Sequence, residues 1–193
     1  MYEKKSNSEI SSVDGVGMTG KYRGVILQQY PSVVTTWGEW KKHYPKTKVM
    51  QGRSTGGMMG TYTGITNKRL SGLILSLDVD SKVKGYDMTS LKGKKVVNDE
   101  FNKKKIVWVG LDSYTQLVFE RTAGGKTLTF EKGRNDSKGR ETLTDKETKS
   151  TWLAISGECV KGKMKGKKLN LLPTTPFKSS KWSFFHPKAE LKK

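Results

Sequence analysis

One stretch of this chain occurs twice. Sliding the sequence on itself by 142 residues, the distance from Gly20 to Gly162, aligns Gly20-Lys21-Tyr22-Arg23-Gly24 with Gly162-Lys163-Met164-Lys165-Gly166. The same shift aligns Leu27 with Leu169, Pro31 with Pro173, Trp40 with Trp182 and Pro45 with Pro187, without a gap. Gly15 with Gly157 and Val49 with Leu191 extend the match, so that residues 145–191 repeat residues 3–49. A period of this size marks one supersecondary unit used more than once. Here the unit reads as strand, Gly-flanked turn, strand, Pro and short aromatic helix. The chain is therefore expected to divide into an N-terminal partial repeat module at 1–50, a Gly-rich linker at 51–65 and a main β domain at 66–193.

Helical periodicity is scarce, whereas short alternating or β-branched runs bounded by Gly, Asn and Asp recur, the pattern of a mainly β chain. Strands are expected at 24–30, 72–79, 82–86, 105–109, 115–120, 127–131, 151–155 and 167–172. The clearest hairpin alternates Leu117 and Phe119 on one strand with Leu128 and Phe130 on the other, around Ala123-Gly124-Gly125. A second turn is expected at DVDSK, residues 78–82. Two short aromatic helices interrupt the pattern, at 36–44 and 180–186. In the first, Thr36 is the N-cap, Glu39 its capping-box partner, Trp37 and Trp40 share a face and Pro45 ends the helix. The fold class is thus mainly β, a compact antiparallel β barrel or sandwich with two short helices.

The chain carries 37 Lys and Arg against 18 Asp and Glu, a net charge of +19, and only six of the 37 are Arg. Arg grips phosphate and guanine edges bidentately, while a lysine surface attracts any polyanion diffusely and with strong salt dependence. The lysines cluster at Lys92, Lys94 and Lys95, at Lys103, Lys104 and Lys105, and at Lys161, Lys163, Lys165, Lys167 and Lys168. In the last cluster Gly162, Met164 and Gly166 alternate with lysine, which at strand periodicity places most of the charge on one face. Such a face reads either as a solvated edge strand or as a patch for a polyanion or acidic partner.

Catalytic patterns are sparse. Cys159 is the single cysteine, and His43 and His186 are the only histidines, each next to the end of an aromatic helix where capping or packing accounts for them. Asp78, Asp80 and Ser81, and the pair Asp99 and Glu100, read as turn chemistry, since no EF-hand loop surrounds them. GRSTGGMMGTYTG, residues 52–64, lacks the Gly-Lys-Ser/Thr ending of a phosphate loop and reads as linker. No apolar run is long enough to span a membrane.

Several segments resemble a widespread prokaryotic domain family of unknown function, whose typical members carry a C-P-L-C motif on a β-strand. They are LILSLDVDSKVKGYDM, with Lys84-Gly85-Tyr86 at the family's K-A-Y; Val97-Asn98-Asp99 at its V-N-D; KIVWVGLDSYTQLVFER; and DKETKSTWLAISGECVKGKMKGKKLNLLP. In the last, Asp145, Thr148, Ser150, Trp152, Gly157, Gly162, Gly166, Leu169 and Pro173 fit the pattern. The resemblance implies that this chain is a degenerate member with a partial second copy at its N-terminus. Where the family's two cysteines fall it has Gly110 and Ser113, and where a family histidine precedes V-N-D it has Lys94. Thiolates and imidazole are metal and redox ligands. A family site of that kind would be lost here, leaving no metal and no cofactor.

The function expected from these features is non-catalytic: a basic β-scaffold docking on an acidic protein surface or multisubunit assembly as an accessory or structural subunit, through the three lysine clusters. The alternatives are a sequence-nonspecific polyanion binder, most plausibly of nucleic acid, and an enzyme or metal/redox protein of the same family, with an enzyme the less favoured. No signal peptide is readable, which fits an exported or periplasmic location for a mature chain and a cytoplasmic one otherwise.

Overall fold

A computed structural model describes residues 1–48, 72–112 and 115–193, so the expected linker at 51–65 and Ser113 lie outside the described residues. The chain forms two units, Met1–Pro31 and Ser32–Lys193. In the first, β1 (Tyr2–Glu3) pairs antiparallel with β2 (Ser8–Glu9), followed by a single 3₁₀ turn at Gly20–Tyr22.

The second unit opens with α1 (Trp37–His43) and continues through β3 (Leu73–Val79), β4 (Lys82–Asp87), β5 (Val96–Phe101), β6 (Lys104–Gly110), β7 (Gln116–Glu120), β8 (Thr122–Ala123) and β9 (Lys126–Thr127). It ends with β10 (Phe130–Lys132), β11 (Thr142–Asp145), β12 (Thr151–Leu153), β13 (Cys159–Lys161), β14 (Asn170–Leu171), β15 (Thr174–Lys178), α2 (Ser179–Phe185) and β16 (Glu190–Lys192). Three four-stranded sheets result, in the orders β15-β3-β4-β16, β14-β7-β6-β5 and β10-β11-β12-β13.

The middle sheet explains how they stack. Successive strand residues face opposite sides. Ile106 and Trp108 enter one core with Leu75, Leu77, Val79 and Tyr86 of the first sheet, while Val107 and Val109 enter a second core with Phe130, Leu143 and Trp152 of the third. KIVWVG is apolar without alternation because both faces of β6 are buried, the signature of an interior strand. The arrangement is a layered sandwich with open sheets, not a closed barrel.

Local chemistry accounts for the connections. Asp80 and Ser81, at φ 52° and 64°, close the β3–β4 hairpin as a two-residue turn, and Asn102 and Lys103, at 45° and 64°, do the same for β5–β6. Gly124 and Gly125 form the turn read from the sequence, but it joins only β8 to β9; β7 pairs with β6 and β14 and β10 with β11, so Leu117 and Phe119 do not stand opposite Leu128 and Phe130. Thr36 caps α1 by accepting from Glu39 N at 3.2 Å.

Other expectations change. The strand expected at 24–30 reduces to one bridge between Val16 and Ile26, and that at 167–172 to a bridge between Lys168 and Glu158 and the short strand Asn170–Leu171. The strand at 127–131 divides between β9 and β10. β5 was hidden because its interior residues are polar with specific partners. Asn98 Nδ2 donates to Phe130 O and Asn98 Oδ1 accepts from Phe130 N, both at 2.8 Å, so one side chain substitutes for a strand neighbour.

The repeat is physical as well as textual, since hydrogen bonds recur at the same spacing. Tyr22 N donates to Ser8 Oγ and Met164 N to Ser150 Oγ, each at 3.1 Å. Leu27 N donates to Gly15 O at 3.0 Å, and Leu169 N to Gly157 O at 2.9 Å. Glu3 accepts from Ser6 N at 2.7 Å as Asp145 accepts from Thr148 N at 2.5 Å. Even the left-handed residues coincide, Asn7 at φ 50° and Lys149 at 55°.

Candidate functional site

The three lysine clusters meet different fates. Lys104 pairs with Glu120 at 2.8 Å, Lys105 with Glu100, and Lys95 lies 3.4 Å from Glu141 while also donating to Leu111 O. Much of the middle cluster is therefore neutralised by the neighbouring strands. Lys92 and Lys94 are exposed, and Lys103 sits at the tip of the β5–β6 turn.

Lys161, Lys163, Lys165, Lys167 and Lys168 are all exposed, and among the described residues none of them forms an ion pair. The expected strand with one charged face is not what holds them. β13 stops at Lys161, Gly162 turns the chain at φ 98°, Lys165 N donates to Gly162 O at 3.2 Å and Lys167 N to Met164 O at 2.9 Å. Glycines at 162 and 166 permit left-handed backbone, which favours a folded-back loop over an extended edge. Met164 is buried in the core shared with Trp152 and Phe119 and anchors the loop, so lysines fan out on both sides of it.

Of the positions expected to match the family's cysteines and histidine, Gly110 and Lys94 lie among the described residues and close together. Gly110 ends β6, and a Cβ there would stand 3.1 Å from Lys94 O, so positions 94 and 110 are neighbours through the Lys94 backbone, while its side chain is exposed. The same Cβ would stand 2.5 Å from Cη2 of Trp108. The indole ring thus occupies the space a side chain at 110 would need. Gly110→Cys is expected to lower stability by about 1–3 kcal/mol, the usual cost of overpacking a well-filled core, measured as a lower urea midpoint with unchanged slope. An unchanged midpoint would show that the Trp108 ring moves aside freely.

A polar cluster that sequence reasoning did not single out joins β4, β5 and β16 through Lys84, Asp99 and Glu190. Lys84 is fully buried, with Nζ 2.9 Å from Asp99 Oδ2 and 2.7 Å from Glu190 Oε1, and its ammonium lies 5.8 Å and 5.7 Å from the ring centres of Tyr86 and Phe101. Tyr86 OH donates to Asp99 Oδ2 at 3.2 Å. Burial works against the charged lysine, but its bonds to Asp99 and Glu190 outweigh that and raise its pKa above the ordinary lysine value. Burial beside the same carboxylate also pushes the Tyr86 phenol far up, keeping it neutral. Every group is partnered, so the cluster is a clamp: it ties β16, which runs parallel to β4, to the sheet through Glu190. The signal was present, because K-G-Y and V-N-D are the motifs that meet here. Gly85 between them is required by packing, since a Cβ would lie 2.7 Å from both Trp182 Cζ2 and Ile74 Cγ2.

Asp145 organises a second buried cluster. Its carboxylate accepts from Thr148 N at 2.5 Å, Thr148 Oγ1 at 2.9 Å, Ser150 N at 3.0 Å and Trp152 Nε1 at 2.9 Å. The spacing D-x-x-T-x-S-x-W is thus a folding motif. Cys159 is buried in the adjacent core, and burial pushes its thiol up, away from the reactive thiolate. His43 is buried beside Glu39 at 3.4 Å, with burial lowering its pKa, and His186 packs on Trp182 and Phe177. Asp80 faces Asn102 across the hairpin ends at 3.5 Å. Among the described residues no group of three or more His, Cys, Asp or Glu side chains is placed to hold a metal ion, and no helix is long and apolar enough to cross a membrane.

A family model described as "Protein of unknown function (DUF3179)" matches residues 1–63 and 66–192. The chain belongs to this family. The match comes as two segments, in line with the repeat: a partial copy first and a longer one after it. No curated protein and no solved structure matches the chain. In this chain Asp145, Thr148, Ser150 and Trp152 bond to one another, while Lys84, Tyr86 and Asp99 bond between β4 and β5.

Proposed function

We propose that this protein is a non-catalytic basic β-scaffold that docks through the 161–168 loop on an acidic protein surface or assembly, as an accessory subunit. The observation that supports this reading is the contrast between clusters: Lys95, Lys104 and Lys105 face carboxylates, whereas the five lysines of the loop are exposed on a turn anchored by Met164 and, among the described residues, form no ion pair. Charges held on a fixed loop steer a complementary surface and define its register. Two of the six arginines are occupied within the fold, Arg140 by Asp136 at 2.6 Å and Arg121 by Leu128 O at 2.8 Å.

Affinity purification from the native source tests this. The wild-type chain is expected to recover a defined acidic partner, and the triple reversal of Lys163, Lys165 and Lys167 to Glu is expected to lose it while keeping the same thermal midpoint. Recovery of the same partner by the reversed chain overturns the proposal. Recovery of nucleic acid alone, with log affinity falling linearly against log salt, replaces it with the polyanion reading.

A further inference from the structure

The Lys84 cluster holds an amine and a carboxyl group in the arrangement that amide formation requires. Lys84 on β4 and Asp99 on β5 belong to different sheets, and Nζ stands 2.9 Å from Asp99 Oδ2 with the lysine 1% exposed. The rings of Tyr86 and Phe101 wall the ammonium, their centres 5.8 Å and 5.7 Å away. Two groups fixed in contact react as one molecule, which removes most of the entropic barrier to joining them.

The surroundings prepare each partner. The Asp99 carboxyl is engaged at both oxygens: Tyr86 OH donates to Oδ2 at 3.2 Å and Glu100 N to Oδ1 at 2.9 Å, with Lys192 Nζ 3.8 Å from Oδ1. Such groups draw electron density from Cγ, and those at Oδ1 are placed to hold the oxyanion that forms when a nucleophile adds there. Glu190 Oε1 lies 2.7 Å from Nζ, within reach of a proton on the lysine, and is the exposed member of the cluster. A buried ion pair costs the desolvation of two charges, whereas a neutral amide in the same space does not.

We infer that Lys84 and Asp99 join as a side-chain amide, a covalent tie between the first and middle sheets. The ion pair is the state before reaction. One proton passes from the Lys84 ammonium to Asp99 Oδ2, leaving a neutral amine facing a carboxylic acid, a transfer that burial assists because it removes both charges. The Nζ lone pair adds to Cγ, Oδ1 takes up the negative charge, and Glu190 accepts a second proton from Nζ. Glu190 then returns that proton to Oδ2, the bond from Cγ to Oδ2 breaks, and one water leaves on the exposed side of the cluster. Nothing is oxidised or reduced, and no further reactant is consumed.

The intact mass of the denatured full chain tests this. Wild type held folded at neutral pH is expected to lie one water below the mass of its sequence, and digestion is expected to release the Lys84 and Asp99 fragments still joined. Lys84→Arg, which keeps the charge beside Asp99, is expected at its full sequence mass with an unchanged circular dichroism spectrum. Glu190→Gln is expected to form the bond about 100-fold more slowly, the usual contribution of a positioned proton acceptor. A wild type that stays at its full sequence mass overturns the proposal. So does a water loss that persists in Lys84→Arg, or fragments joined through Lys192 in place of Lys84. A bond formed at the wild-type rate by Glu190→Gln overturns the role given to Glu190.

Discussion

Asp145→Ala is expected to lower the unfolding free energy by about 3–5 kcal/mol, because a buried carboxylate and its hydrogen bonds are removed while the donors stay buried. The orphaned groups would be Trp152 Nε1, Thr148 N, Thr148 Oγ1 and Ser150 N, and Trp152 itself is a fully buried core side chain touching Phe130 edge-on at 5.7 Å between centroids. Urea unfolding checks it, as a midpoint shift at constant slope. A loss smaller than that of Gly110→Cys would show that water replaces the carboxylate.

The same group gives the protein an acid limb. Burial pushes the Asp145 carboxyl up, but the bonds from Trp152, Thr148 and Ser150 outweigh it and hold the pKa below the ordinary aspartate value. A carboxyl lowered on folding stabilises the native state above its unfolded pKa, about 4, and that stability is lost as the pH falls through the folded value. Asp145→Asn, measured from neutral pH downward, should therefore be less stable than wild type at neutral pH and show a shallower acid loss.

Asp99→Ala is the second large effect, expected at about 3–5 kcal/mol, because it leaves the Lys84 ammonium buried with only one carboxylate. The test is a double-mutant cycle. Lys84→Met in the Asp99→Leu background should recover most of the loss, since a well-packed apolar pair of similar volume commonly equals a buried ion pair. Glu190→Gln should cost much less, because Glu190 is 57% exposed and water can replace it. Additive effects at Lys84 and Asp99 would mean that the clamp does not act as a unit. The sign against pH is the reverse of Asp145: a lysine whose pKa rises on folding contributes stability below about 10.4 that is lost as the pH climbs through the raised value.

The parts legible in the sequence are those where local chemistry and burial agree. LILSLDV, KIVWVG and QLVFE declare themselves as strands because both faces or one full face are apolar, and the Thr36 cap is legible because Thr, Glu and Pro stand at the spacing a helix end requires. β5 was illegible for the opposite reason. Asn98 and Asp99 look like turn residues, but the ladder of β5 with β6 and their side-chain partners, the Phe130 backbone and Lys84, hold them in a strand. Alternation of Lys with Gly and Met at 161–167 imitates strand periodicity, but left-handed glycines and the burial of Met164 fold the segment back into a loop.

The sequence by itself determined the mainly β class, the two aromatic helices, the repeat at a spacing of 142 residues, the family and the excess of lysine, because each depends on residue type and order along the chain. Tertiary structure alone decided which of the described lysines meet carboxylates, why Gly110 is filled by Trp108, and how Lys84 comes to lie between Asp99 and Glu190. Those outcomes turn on distances between residues far apart in sequence, which composition and periodicity do not contain.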